Sequence, residues 1–229
     1  IAKFARGRVR ARMAPRVALE MVGDLLCPWC YIGLAHVARA LDQAGLGGDA
    51  VAWRFTPYLV QSAPGITRGE GDLFADLAKS RVNYRFLQSK GAEAGVRFTM
   101  PTETSRIYYP AKAHLLAQLA EKKLASEQKL AFKLALYAGV WGGGNLHLDS
   151  TEALLPLATS FGLEEQEVRD LLEDADAEAA VVAEAAQAKE RQAGVPQFYF
   201  RDLDSDELVF EVKDYENESE LSEFFATLA

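Results

Sequence analysis

Residues 17–45 read VALEMVGDLLCPWCYIGLAHVARALDQAG. Val17 to Leu26 is a short apolar run, rich enough in Val and Leu to form a buried strand. It ends at Cys27-Pro28-Trp29-Cys30, after which Tyr31, Leu34, Val37, Ala38 and Leu41 recur at helical spacing until Gly45. Val51 to Thr56 (VAWRFT) then predicts a second strand, stopped by Pro57. Strand, helix, strand is the unit from which parallel sheets are built.

Cys27 and Cys30 are the only two cysteines in 229 residues. Two cysteines placed at random would fall at this spacing roughly once in a hundred tries. A chain of this length can bury a sizeable core without a disulfide or metal staple, so the pair points to chemistry. Positions three apart share a helix face, which lets such a pair close a disulfide while the first sulfur stays at the exposed helix start. Unpaired N–H groups and a partial positive charge at that end favour the Cys27 thiolate, the form that attacks disulfides. Pro28 suits the first turn, where its missing N–H costs nothing. Cys27 is then the nucleophile and Cys30, nearly one turn deeper, resolves the mixed disulfide. A zinc site would need two more ligands, and His36, His114 and His147 show no finger spacing, so no metal is expected. Two inert core thiols would explain burial but not the strand-Cys-Pro-x-Cys-helix context.

From about residue 62 to 193 the pattern turns helical. Segments are predicted over Asp72 to Lys90, Pro110 to Lys122, Ser126 to Ala138, Ser150 to Phe161, Glu164 to Glu173 and Ala177 to Gln192. Gly142-Gly143-Gly144 marks a loop, because a phosphate loop would need a preceding strand and a following Lys-Ser or Lys-Thr. Strand signals return at Gln197 to Arg201 and Glu207 to Val212, joined by the acidic turn Asp202 to Asp206. A last amphipathic helix is expected from about Ser219 to Leu228.

The formal charge of −8 disfavours broad nucleic-acid binding. No window approaches the run of about 18 apolar residues that a membrane helix needs. Residues 1–149 carry 20 basic and 12 acidic groups, while 150–229 carry 5 basic and 21 acidic ones, which reads as solvated acidic helix faces. Residues 1–16 hold six basic side chains and no acidic one, and are expected to be a disordered tail. A transit-peptide remnant is the alternative, although such leaders are Ser-rich and this stretch has no Ser. With no secretory signal visible, the cytoplasm is the expected compartment and an organelle the alternative.

The run Asp24 to Gly33, DLLCPWCYIG, resembles the FrnE-like branch of the DsbA family of thioredoxin-fold oxidoreductases, whose signature is an acidic residue, two apolar residues and CPWCYIG. The resemblance extends from about residue 16 to 228, and includes a helical insertion and Gly194-Val195-Pro196 before an aromatic strand. It implies an α/β, thioredoxin-like fold with a large all-helical insertion. The thioredoxin-like domain would comprise 17–61 and 194–229, and the insertion 62–193. It further implies that Pro196 is cis and faces the cysteines, with Val195 offering its N–H and C=O to a substrate chain like an added strand. Val-Pro just before a strand is also where a strand-entry proline is tolerated; an ordinary turn proline is the alternative.

By the same resemblance Asp24 is a buried acid able to relay a proton for Cys30, its alternative being a strand-end cap or salt-bridge partner. Trp29 and Tyr31 would line an apolar groove beside Cys27, with core packing the competing role for Tyr31. His114, in Ala-His-Leu-Leu, matches an insertion segment of the family, but on an apolar face it reads as a satisfied core group. Two departures bear on substrate: Gln197 follows Pro196 where many relatives have Thr, and Lys213-Asp214-Tyr215-Glu216 replaces a late Gly-Ala-Gln motif.

The implied activity is disulfide exchange with protein or small-molecule thiols, without a resident cofactor and with glutathione as a co-substrate option. The insertion also resembles that of kappa-class glutathione transferases and 2-hydroxychromene-2-carboxylate isomerases, making a glutathione-dependent isomerase or transferase the second reading. Those relatives usually carry Ser at the first site position and lack the second Cys. A peptide-binding, chaperone-like module is a third reading, and a homodimer is among the states the sequence allows.

Overall fold

The computed structural model describes residues 15–60, 81–100, 108–143, 145–215 and 218–229. The expected basic tail lies outside them except for Pro15 and Arg16. Strand β1 (Val17–Gly23) is followed by helix α1 (Pro28–Gln43), a short 3-10 turn (Gly48–Ala50) and β2 (Val51–Pro57). Strands β1 and β2 pair in parallel, Val17 opposite Val51 through to Gly23 opposite Pro57. The expected strand–helix–strand unit is present with two corrections. The apolar run stops being a strand at Gly23, because Asp24 to Leu26 turn the chain into α1. Pro57 closes β2 from inside it, at a position where a missing N–H is tolerated.

Helices then follow without a strand among the described residues: α2 (Arg81–Glu93), α3 (Ala111–Lys123), α4 (Ser126–Trp141), α5 (Thr151–Ser160), α6 (Glu165–Leu172) and α7 (Ala175–Arg191). Residues 72–80 of the first expected helix fall outside the described residues. Helix α4 runs to Trp141, one turn beyond the expected Ala138, and Gly142 follows it as cap. Ser150 starts α5 by accepting the Ala153 N–H at 3.3 Å, and Asp174 caps α7 in the same way.

Strands β3 (Gln197–Arg201) and β4 (Leu208–Val212) form the predicted hairpin, and α8 (Glu218–Leu228) ends the chain. The sheet order is β2-β1-β3-β4, with β3 antiparallel to both neighbours. In β3, Phe198 and Phe200 point to one buried face. Phe200 packs on Phe224 and Phe225 of α8, and Phe198 lies against α1 at Gly33. Helices α3, α4 and α7 pack on β2. One buried cluster runs from Val17 in the sheet through Leu116, Phe132, Trp141 and Leu154 of the interior helices to Phe225. The fold is thus thioredoxin-like, a mixed four-stranded sheet with helices between its two halves.

Candidate functional site

The central strand β1 delivers the chain to the site. After Gly23, Asp24 folds back on its own turn: its Oδ1 accepts the Leu26 N–H at 3.0 Å, and its carbonyl accepts the Cys27 N–H at 3.0 Å. Its Oδ2 accepts the Val60 N–H at 2.6 Å, tying the turn to the segment that leaves β2. Trp141, at the end of α4, donates its indole N–H to the Leu25 carbonyl at 3.0 Å. The turn is therefore held from three directions.

Cys27 occupies the N-cap of α1 with extended backbone, and Pro28 follows in the first turn. The two thiols are free and 3.5 Å apart. Cys27 is 9% exposed and Cys30 is fully buried, so access is narrower than an open helix end implies. Burial, followed by the adjoining Cys27, pushes the Cys30 thiol well above its ordinary range.

The Val195–Pro196 peptide is cis. Pro196 is buried, and the Val195 carbonyl stands 3.7 Å from the Cys27 Sγ. Gly33 permits this approach: a Cβ there would lie 3.0 Å from Phe198 and 3.3 Å from Pro196. The three elements β1, α1 and β3 thus bring Cys27, Cys30, Val195 and Pro196 together. Trp29 stacks on Tyr215 with ring centres 4.2 Å apart and meets Phe86 at 6.1 Å, Phe86 being 49% exposed. An aromatic shelf therefore adjoins the cysteines.

Tyr31 takes the competing role given above: it is buried, stacks on Tyr137 and packs against Phe98. His114 is buried as expected, but it is more than a core filler, since its Nε2 is 3.5 Å from Asp24 Oδ1. Burial, aided by the charge of Lys133, lowers the His114 pKa against the opposing pull of Asp24.

Tyr215 entered the sequence reading only as part of a motif departure, and three further functional candidates escaped it: Phe86, Lys133 and Tyr137. The last two lie one turn apart on α4, and both are buried behind Cys30. A signal for them existed in the spacing of Lys133, Tyr137 and Trp141, a stripe of period four in which a lysine interrupts an apolar face. No group of three or more His, Cys, Asp or Glu side chains suited to a metal occurs among the described residues. No described helix is long and apolar enough to cross a membrane.

The model of the DSBA-like thioredoxin domain family matches residues 18–220. Among solved structures, a probable DsbA oxidoreductase from Streptomyces coelicolor superposes with a TM-score of 0.68 at 19% identity, covering 92% of this chain and 89% of that one. The cytosolic disulfide reductase DsbM from Pseudomonas aeruginosa gives 0.60 at 16% identity, with 92% and 98% covered. A 2-hydroxychromene-2-carboxylate isomerase gives 0.62 at 16%, with 92% and 95% covered. At such identities the likeness is one of fold. Among curated proteins no sequence matches the chain.

Proposed function

The chain belongs to the DSBA-like thioredoxin domain family, and from that premise we propose that it is a thiol-disulfide oxidoreductase of the FrnE-like kind, working through Cys27 and Cys30. The observation that carries this reading is the free Cys27–Cys30 pair, 3.5 Å apart at the start of α1 and overlooked by the Val195 carbonyl. Two sulfurs at that separation can reach bonding distance by small side-chain movement, since a disulfide needs about 2 Å between them.

In the proposed cycle the Cys27 sulfur attacks a substrate disulfide and forms a mixed disulfide, expelling one thiolate. Cys30 then attacks Cys27, closing the protein disulfide and releasing the second thiol. Run backwards, the oxidised protein donates its disulfide. The net direction follows the potential of the pair relative to its surroundings.

Among the described residues Val195 pairs its N–H and C=O with no other backbone group. They are available to an extended substrate in the manner of an added strand. Trp29 offers apolar contact next to the sulfur. Asp24 keeps the turn closed and places a carboxylate in the buried surroundings of Cys30. Substrates are protein or small-molecule disulfides. DsbM has also been solved with GSH, at a TM-score of 0.59 to this chain, which supports glutathione as one such partner.

Purified protein is expected to speed dithiothreitol-driven insulin reduction, and Cys27→Ser to abolish the effect. Cys30→Ser should instead trap the mixed disulfide, seen as a mass adduct that dithiothreitol removes. Full activity in Cys27→Ser would sink the proposal.

A further inference from the structure

Cys30 poses a chemical problem that the open side of the site does not solve. To release substrate its thiol must lose a proton, yet it is fully buried and lies against the Cys27 sulfur, and both circumstances oppose the anion. Behind it stand two polar groups that the cycle above leaves unused. The Tyr137 hydroxyl is buried and has no hydrogen-bond partner among the described residues. A methyl group placed on Gly23 would meet that hydroxyl at 3.4 Å and the Cys30 Sγ at 3.2 Å, so the two border one small space.

Lys133 is 2% exposed, and its ammonium faces rings, 5.2 Å from the centre of Phe55 and 5.8 Å from that of Tyr137. It lies within electrostatic reach of Cys30, Asp24 and Glu121. A phenol without a hydrogen-bond partner and a lysine in salt-bridge contact with no carboxylate, both among the described residues, are costly interior groups, and cost of this kind beside a reacting atom calls for a function.

We propose that α4 supplies the resolving half of the reaction: Lys133 holds the proton that Cys30 gives up, and the Tyr137 hydroxyl donates to the Cys30 sulfur while it attacks Cys27. The inference rests on the reading of Cys27 and Cys30 as a redox pair. In the step, the Cys30 thiol and the Lys133 amine become thiolate and ammonium. The Cys30 sulfur then bonds to Cys27 Sγ, the bond from Cys27 to the substrate sulfur breaks, and its electron pair leaves on the substrate thiolate. The two protein sulfurs are oxidised, the substrate disulfide is reduced, and the proton on Lys133 passes to solvent afterwards. Lys133 acts as proton acceptor and Tyr137 as hydrogen-bond donor to the Cys30 sulfur; the sulfur–sulfur bonds are made and broken by the cysteines and the substrate.

The titratable groups around Lys133 fit this assignment. Asp24 comes from the turn, Cys27 and Cys30 from α1, His114 and Glu121 from α3, and Tyr137 from its own helix. Glu121 is engaged by the Phe55 N–H at 2.7 Å, and burial raises its pKa. Burial brings Lys133 down to about 8, against the pull of Cys30, Asp24 and Glu121, so its amine form becomes accessible just above neutrality. The proton lost there belongs to the Lys133–Cys30 pair as a unit.

The test uses the reduced full chain and one equivalent of the chromogenic aryl disulfide dithiobis(nitrobenzoate), which reports two successive aryl thiolate releases. The first follows attack by Cys27 and the second follows attack by Cys30. In the parent protein the second rate should rise as pH increases through about 8. In Lys133→Met it should fall roughly tenfold or more at that pH and its rise move upward, with the first rate nearly unchanged. Tyr137→Phe, which removes one oxygen, should also slow the second release and shift its rise upward. Should Lys133→Met fail to fold, Tyr137→Phe decides by the same criterion. Second-phase rates and pH profiles equal to the parent's would overturn the proposal. Absence of the first release in the parent would instead defeat the redox reading beneath it.

Discussion

Lys133 is a costly residue to keep in an interior helix, and the cost has a pH signature. In an unfolded chain a lysine titrates near 10.4, whereas burial brings this one to about 8. The folded protein therefore binds fewer protons than the unfolded chain between those values. Stability should rise with pH across that window and carry the full penalty below it. Lys133→Met is accordingly expected to stabilise the fold by about 1–3 kcal/mol at pH 7, with the gain shrinking as pH climbs from about 8 towards 10.4. Urea denaturation of both proteins at pH 7 and pH 10 checks this, and a variant less stable than the parent at pH 7 would contradict it. The cysteines were legible in the sequence because spacing and rarity suffice to mark them. Lys133 was not, because its meaning depends on which face of α4 meets Cys30, and only the tertiary packing decides that. Tyr31 illustrates the same limit: its place in the motif suggested the groove, while the packing of α1 on α4 turned its ring onto Tyr137.

At the scale of elements, the site exists because α1 and the start of β3 approach closely, and Gly33 is where they touch. Alanine in mid-helix normally gains up to about 1 kcal/mol over glycine. Here the added methyl would meet Phe198 at 3.0 Å and Pro196 at 3.3 Å, both buried and unable to swing away. Overpacking of this kind costs about 1–3 kcal/mol, so Gly33→Ala should destabilise on balance and lower disulfide-exchange activity by widening the gap between Cys27 and Val195. Thermal melting with an insulin-reduction assay checks both, and unchanged stability with unchanged activity would contradict the argument. Most helices and the late hairpin were readable from periodicity, caps and turn residues. The end of β1 was not, since Leu25 and Leu26 continue an apolar run and only the side chain of Asp24, by capturing two backbone N–H groups, bends the chain there. The extension of α4 to Trp141 escaped for a similar reason: its indole is anchored at Leu25, a partner distant in sequence.

For the molecule as a whole, one continuous buried cluster joins the sheet to the helices between its halves, so the interior helices support the Asp24–Cys27 turn as well as surrounding it. Helix α4 holds the turn through Trp141 and lines it with Lys133 and Tyr137. Proteins that share this fold carry different activities in their names, oxidoreductase, reductase and isomerase. The reaction must therefore be argued from the site, not from the architecture. The chemistry proposed for this site is the interconversion of two thiols with one disulfide. The most direct measurement is a redox titration of the full chain in glutathione buffers of varied ratio, followed by alkylation and mass analysis. A single reversible transition is expected, in which Cys27 and Cys30 lose reactivity together and the chain loses two hydrogens. Thiols that stay alkylated at every ratio, or a lasting glutathione adduct on Cys27 beside an unchanged Cys30, would contradict it.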